Sequence, residues 1–127
     1  MASPADCLFS ESHEWHKVAG DTVTIGLTRY AVDALTDVTY VQVKPVGTKV
    51  NAGQTVGEVE SVKTTSDIYS GVSGEIIEVN KAAADDPSLL NTDPLVKGWL
   101  VKLRMTDQSG LAKLMNASAY DAKYPTH

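Results

Sequence analysis

Cysteine and positive charge are both scarce in this chain of 127 residues. One cysteine, Cys7, excludes an internal disulfide and a metal site built from several thiolates. Lys and Arg number 11 against 16 Asp and Glu, a net charge of −5 that argues against nucleic acid or an anionic membrane as the main partner. No apolar run approaches the length that crosses a membrane, and no signal-like start is present. We therefore expect a cytoplasmic protein.

What the chain has instead is a series of short stretches in which apolar and polar residues alternate. Such alternation, with β-branched residues inside and glycine, proline or asparagine at the ends, predicts strands over 22–27, 39–44, 55–60, 74–79 and 99–105. Five of the nine glycines fall between residues 47 and 74, which indicates tight turns between short strands. The length suits one domain with one modest core. We predict a mainly β fold in a single domain, residues 1–127, arranged as a small barrel or sandwich.

Helical patterns are confined to the edges of this β region. Thr28 is placed to cap a short helix that runs to residue 35. The segment 85–90 predicts a helical turn or a loop, because its proline suits the first position of a helix. A terminal helix is predicted over 109–115, followed by one last turn capped by Ser118. The first seven residues and the last four are expected to be loosely held.

The first candidate for metal chemistry is the segment from Ser12 to His16, which contains His13 and Glu14. Its two histidines lack the H-E-x-x-H spacing of metalloproteases, and in a strand they point to opposite faces. A metal-dependent hydrolase that uses His13, Glu14 and His16 is kept as an alternative of a different class. The sequence has no nucleophile elbow, phosphate-binding loop or dinucleotide fingerprint. We therefore expect a chain without catalytic activity, one that is acted upon or carried.

Lys63 is the more informative residue, because it lies at the centre of a predicted turn between two β segments. Glu60 and Asp67 flank it. A lysine at a hairpin tip is most often an ordinary solvated charge. A turn held by strands on both sides nevertheless presents the amine at a fixed and exposed point, and loops positioned by a rigid scaffold commonly carry function. This position suits a lysine that a modifying enzyme and successive partners must reach.

The segment Glu60–Ser70 resembles the lipoylation motif of the glycine cleavage system H proteins. Four further blocks resemble the same family in the same order: 12–15, 23–28 with 30–31, 74–80, and 91–94 with 97–100. The end of the chain, 111–120, resembles the C-terminal helix of the family. The resemblance covers about residues 8 to 121, and five blocks in matching order make it specific.

The resemblance implies a lipoyl/biotinyl-type barrel-sandwich hybrid with short peripheral helices and a C-terminal helix. It also implies a non-catalytic lipoyl carrier with lipoate amide-linked to Lys63. Its partners would be a pyridoxal-phosphate glycine decarboxylase (P protein), a tetrahydrofolate-dependent aminomethyltransferase (T protein), dihydrolipoyl dehydrogenase (L protein) and the lipoylating enzymes. The carrier would take the aminomethyl group of glycine from the P protein to the T protein, and the L protein would reoxidise it. We expect a monomer that binds neither nucleic acid nor a membrane.

Three more residues match positions that the family associates with holding the aminomethyl group: Ser12, Glu14 and Asp67. Their carboxylates would attract the ammonium and the hydroxyl would accept its protons, in a cleft that excludes water. Gly47 and Gly74 resemble glycines that shape the hairpin for the lipoylating enzymes. His13 is left without a role, and Trp15 and Trp99 are interpreted as packing residues.

Two alternatives share the predicted fold. An H-like lipoate-binding protein of sulfur oxidation would carry the same modified lysine. The chain departs from the family's usual pattern at several positions, including Arg29 in place of an acid and Gly71 in place of proline, and these departures keep that alternative open. A biotin carrier expects methionine on both sides of the lysine, where Val62 and Thr64 stand, and it ranks low.

Overall fold

The computed structural model describes residues 6–124, which fold into two antiparallel sheets with short helices around them. The strands are β1 (Leu8–Phe9), β2 (Glu14–Ala19), β3 (Thr22–Leu27), β4 (Val38–Val43), β5 (Lys49–Val50), β6 (Thr55–Ser61), β7 (Thr65–Tyr69), β8 (Ser73–Val79), β9 (Val101–Asp107) and β10 (Met115–Asn116). The helices are α1 (Arg29–Leu35), α2 (Lys81–Asp85), α3 (Leu89–Thr92) and α4 (Ala117–Lys123), with a 3-10 helix over Ser109–Lys113. The prediction of a mainly β fold is confirmed.

The two sheets differ in size. The larger sheet has seven strands in the order β10–β1–β2–β3–β9–β8–β5, and the smaller sheet has three in the order β4–β6–β7. The five strands predicted from alternation are confirmed as β3, β4, β6, β8 and β9, with ends that differ by at most two residues from the prediction. The hairpin predicted around Lys63 is the β6–β7 pair of the smaller sheet.

Side chains from both sheets form one apolar core. Val23 and Ile25 of β3 and Leu103 of β9 have no exposed surface. Val59 of β6 and Ile68 of β7 belong to the same buried cluster, on the side of the smaller sheet. Full burial of such a side chain contributes about 1.5–3 kcal/mol. The core is therefore what anchors the base of the β6–β7 hairpin.

A second apolar cluster packs the amino-terminal segment against α4. It contains Cys7, Phe9, Trp15 and Tyr120, all of them buried, and the rings of Phe9 and Tyr120 stack with centroids 4.8 Å apart. Trp99 packs against this cluster, so the packing role predicted for both tryptophans is confirmed. The expectation that the first seven and the last four residues are loosely held is wrong for Cys7 and for Tyr124, because both pack in this cluster. Residues 1–5 and 125–127 lie outside the described residues, so that expectation stays untested for them.

The helix predicted after Thr28 is confirmed as α1. The Thr28 hydroxyl oxygen accepts a hydrogen bond from the Ala31 N–H at 3.2 Å, which is the expected side-chain cap. The segment 85–90 contains the last residue of α2, the connection at 86–88 and the first two residues of α3. Helix α3 begins at Leu89 and not at Pro87.

The carboxyl-terminal helix differs from its prediction. The helical segment predicted over 109–115 ends at Lys113, because Met115–Asn116 is extended and pairs with β1. The last helix is longer than one turn, and Asn116 caps it in place of Ser118, with its side-chain oxygen 2.8 Å from the Ala119 nitrogen. No helix within residues 6–124 is long and apolar enough to cross a membrane.

Candidate functional site

Lys63 stands at the tip of the β6–β7 hairpin with its side chain exposed. Ser61 holds the tip: its N–H donates to the Thr64 carbonyl at 2.8 Å, and its hydroxyl oxygen accepts from the N–H groups of Lys63 and Thr64 at 3.2 and 3.1 Å. The Val62 N–H donates to the Asp37 carbonyl at 3.0 Å, which ties the tip to the residue before β4. The Lys63 ammonium has no ion-pair or hydrogen-bond partner among residues 6–124. The backbone of the tip is therefore held in place, and the exposed amine at its end is free to react.

A cleft of about 390 Å³, which we call the lysine cleft, opens beside this tip. Part of its lining is apolar and comes from β3, α1 and β6, with Leu27, Leu35 and Val59 among the residues. The polar part includes Ser12, His13, Lys63, Asp67 and the hydroxyl residues 64–66. Apolar walls with a few polar groups are the usual lining of a site for a small organic group.

Glu14 begins β2 and has no exposed surface. Its Oε1 accepts hydrogen bonds from the hydroxyls of Ser10 and Ser12 at 2.6 and 2.5 Å, and its Oε2 accepts from the Tyr69 N–H at 3.1 Å. Burial raises the pKa of Glu14 above its usual value, and these hydrogen bonds partly offset the shift. The carboxylate therefore links the amino-terminal segment to the end of β7.

The structure brings Lys63, Ser12 and Asp67 to the lysine cleft. Glu14 lines a neighbouring cleft of about 490 Å³, and Ser12 lines both clefts. Asp67 is exposed on β7, where its Oδ2 lies 3.4 Å from the Tyr69 hydroxyl. The roles expected for these four site residues stay predictions.

The two histidines of the amino-terminal segment have different environments. His16 is fully buried, and its Nε2 accepts a hydrogen bond from the Gly71 N–H at 3.0 Å. Burial lowers the pKa of His16 to about 4. His13 lies at the lysine cleft, where its Nδ1 is 2.8 Å from the Tyr120 hydroxyl. Since no group of three or more His, Cys, Asp or Glu side chains in the described range could hold a metal ion, nothing there favours the metal-dependent hydrolase.

Sequence reasoning missed the contacts that hold His13. Tyr120 lies 107 positions further along the chain, in α4, and the rings of Tyr30 and Tyr124 have centroids 4.6 Å from the imidazole. Helical spacing predicts that such tyrosines face a core, but it carries no information about which residue they contact. Only the tertiary packing of α1 and α4 brings them to His13.

Fold and lysine together define a class of protein. Two antiparallel sheets that present an unpaired lysine at a hairpin tip, beside an apolar cleft, are the architecture of a carrier domain of the barrel-sandwich type. The family model for the glycine cleavage H-protein matches residues 7–127, and the chain belongs to that family. Its members are lipoyl carrier subunits of the glycine cleavage system and not catalysts.

Individual relatives agree with this assignment. A glycine cleavage system H protein from Streptomyces coelicolor is 49% identical over 123 residues, which are 96% of this chain and 97% of the relative. One from Thermus thermophilus is 48% identical over 120 residues, 94% of each chain. The crystal structure of a glycine cleavage system H protein from Mycobacterium marinum matches with a TM-score of 0.89 at 42% identity, covering 95% of this chain and 98% of that one. The family resemblance and the barrel-sandwich fold expected from it are confirmed.

Proposed function

We propose that Lys63 carries lipoate in amide linkage. We also propose that the protein conveys the aminomethyl group of glycine from the P protein to the T protein before the L protein reoxidises the arm. The observation that carries this proposal is the unpaired Lys63 ammonium at an exposed and firmly held tip. A long chain attached there could visit several active sites in turn. We further propose that the protein works as a cytoplasmic monomer and that the lipoylating enzymes act on the same hairpin.

The lysine cleft fits a lipoyl group. Ala31 and Ala34, which keep accessible surface above the buried Leu27, Leu35 and Val59, offer apolar contact for its hydrocarbon chain. Ser12 and Asp67 offer oxygen acceptors for a polar end. When bound, lipoate supplies the sulfur atoms through which the cargo is carried. The role of the protein is to bind the lipoyl chain, to keep water away from the cargo and to neutralise the charge of the cargo.

The charge of the cargo decides which residues can hold it. A protonated amine only donates hydrogen bonds, so it needs oxygen acceptors. Asp67 supplies an exposed carboxylate for this purpose. On Glu14, Oε1 already accepts two hydroxyl donors, whereas Oε2 accepts one N–H and has room for another donor. Because Glu14 has no exposed surface, the amine would reach it only after side chains around it move. Ser12 is our candidate for that movement, since its hydroxyl bonds to Oε1 and its residue lines both clefts. We therefore propose Asp67 for the first contact and Glu14 for the deeper one.

The sulfur-oxidation alternative shares the fold and the lysine, so geometry does not separate it from glycine cleavage. The relatives reported above are all named as glycine cleavage system H proteins. That agreement supports the glycine cleavage assignment as the function to test first.

The test is to lipoylate the protein, load it with glycine and a P protein, and follow loss of the adduct without the T protein. We expect Asp67→Asn and Glu14→Gln to shorten the adduct lifetime by about tenfold, the size of one hydrogen bond to a charged group, with lipoylation unchanged. Glutamine is used because alanine at position 14 would leave the Tyr69 N–H unpaired. Glu58→Gln is the control, since Glu58 pairs with Asp67 across the strands but does not line the lysine cleft.

Failure of the lipoylated wild-type protein to accept any aminomethyl group would contradict the proposed function. An unchanged lifetime in both variants would show that neither carboxylate holds the aminomethyl group, and it would leave the proposed carrier role intact.

A further inference from the structure

His13 is held at the lysine cleft in an unusual backbone conformation. Its φ is 73°, in the left-handed region that residues other than glycine rarely adopt. Hydrogen bonds on both sides fix it there: its N–H donates to the Ser10 carbonyl at 3.1 Å, and its carbonyl accepts from the Thr28 N–H at 3.0 Å. A strained residue persists only where its surroundings determine it, and such residues cluster at functional sites. The fold thus keeps this imidazole at the edge of the cleft at some cost.

The imidazole is also fixed by a chain of hydrogen bonds. Its Nδ1 lies 2.8 Å from the Tyr120 hydroxyl, which lies 2.7 Å from the hydroxyl of Thr28. Thr28 in turn accepts the N–H of Ala31 as the cap of α1. Both hydroxyl contacts are short enough to be full hydrogen bonds.

The number of donors and acceptors shows in which direction these hydrogen bonds run. If Thr28 donates to Tyr120 and Tyr120 donates to His13 Nδ1, every hydrogen has an acceptor. In the reverse direction the Thr28 hydroxyl hydrogen would have no acceptor among residues 6–124, although Thr28 is only 2% exposed. Buried donors without partners are rare in folded proteins. The first direction is therefore the stable one, and it leaves the proton of the neutral ring on Nε2.

Burial agrees with a neutral ring, because it lowers the pKa of His13 below its ordinary value. The titratable groups around the imidazole are the three tyrosines, Tyr30, Tyr120 and Tyr124, and across the lysine cleft Lys63 and Asp67. Protonation would also place a hydrogen on Nδ1 and break the bond from Tyr120. His13 therefore remains a neutral N–H donor at physiological pH.

We propose that His13 donates this Nε2–H to a sulfur atom of the arm on Lys63 when the arm lies in the lysine cleft. The inference rests on the proposed function. The cationic amine of the cargo only donates hydrogen bonds, and the oxygens of Ser12 and Asp67 can accept them. A thiolate, in contrast, only accepts hydrogen bonds and needs a donor. The hydroxyls at the tip, residues 64–66, are exposed to water. The locked imidazole loses less freedom on binding, so His13 is the positioning residue for the sulfur.

The first test needs no arm. Nitrogen-15 NMR of the wild-type protein at neutral pH is expected to show a neutral His13 ring protonated on Nε2. Tyr120→Phe removes the hydroxyl on Nδ1 and is expected to mix the two neutral forms of the ring. Tyr40→Phe, which removes a hydroxyl that bonds to Gln42 on the smaller sheet, is the control and should change nothing. A ring protonated on Nδ1 in the wild-type protein would overturn the proposal.

The second test measures the sulfur itself. In the lipoylated and reduced protein, the pH midpoint of iodoacetamide alkylation reports the thiolate population. His13→Asn tolerates the left-handed backbone, removes the ring N–H and is expected to raise the midpoint by about one pH unit, a tenfold loss of thiolate. Cys7 will not interfere, because it is buried and its pKa is raised to about 11 by burial and by Asp6.

The outcomes separate the two proposals. Coinciding profiles for wild type and His13→Asn, in variants that unfold cooperatively, would overturn the role of His13 alone. Failure of a lipoylating enzyme to attach an arm to the wild-type protein would overturn the proposed function, and the NMR test would still decide the state of the ring.

Discussion

The His16→Gln variant should lose less folding stability than the wild-type protein as the pH falls. The His16 ring is fully buried in β2, where Nε2 accepts the Gly71 N–H and Nδ1 has no hydrogen-bond partner among residues 6–124. Burial lowers the pKa of His16 from its ordinary 6.5 to about 4 in the folded protein. Glutamine stays neutral at all these pH values, and its amide oxygen can still accept the Gly71 hydrogen bond.

The magnitude follows from linkage between protonation and folding. Above pH 6.5 the ring is neutral in both states, so His16 does not make stability depend on pH. Below that value the unfolded chain binds a proton that the folded protein does not, and stability falls until the folded pKa is reached. Between about pH 7.5 and about pH 4.5, the two pKa values correspond to a loss of roughly 2.5 kcal/mol in the free energy of unfolding.

Urea denaturation of wild type and His16→Gln at both pH values measures this difference. Because burial raises the pKa of Glu14 in the folded protein, Glu14 also adds to the pH dependence of stability. The quantity of interest is therefore the wild-type loss minus the loss in the variant. We expect that difference to be about 2.5 kcal/mol. Equal losses in the two proteins would refute the reasoning, because the pKa of His16 would then be the same in the folded and unfolded states.

Three further predictions concern packing, capping and thiol reactivity. Gly26→Ala should lower the free energy of unfolding by about 1–3 kcal/mol in urea denaturation, because the new Cβ would lie 2.6 Å from ring atoms of Trp15; unchanged stability would mean that the indole moves freely. Asn116→Ala should cost about 1 kcal/mol in the same assay by removing the cap of α4, and no loss would show that the cap is dispensable. Cys7 should resist alkylation in the native protein and react in urea, since it is buried with a pKa raised to about 11; rapid native reaction would contradict its packing.

Local pattern was enough to predict the strands and the hairpin tip. Alternation places Val23 and Ile25 on one face of β3, and both are buried in the core. The polar turn between β6 and β7 puts Lys63 outside because the flanking strands pair across it. The Thr28 cap is likewise a local signal, since donor and acceptor lie three residues apart. Each of these depends on neighbours in the sequence.

What could not be predicted depends on residues that are distant in the sequence. The extended segment Met115–Asn116 follows from pairing with β1, which no local pattern reveals. Helix α2 has one buried residue, Ala83, and so no apolar stripe to predict it. The contact of Gly71 is equally distant in the sequence: its N–H, which a proline at this position would lack, donates a hydrogen bond to His16.

The division of the carboxylates between two clefts was equally beyond the sequence. Glu14 and Asp67 carry the same charge and match the same expected role. Glu14 is buried and accepts hydrogen bonds from Ser10, Ser12 and the Tyr69 backbone, whereas Asp67 stays exposed.

The most direct measurement is the site of lipoylation. Wild type, Lys63→Arg and the exposed control Lys44→Arg would be treated with a lipoylating enzyme and examined by intact mass and peptide mapping. We predict one lipoyl group at residue 63 in wild type and in Lys44→Arg, and none in Lys63→Arg, whose free energy of unfolding should match that of wild type. A lipoyl group on any other lysine, or on folded Lys63→Arg, would contradict the account.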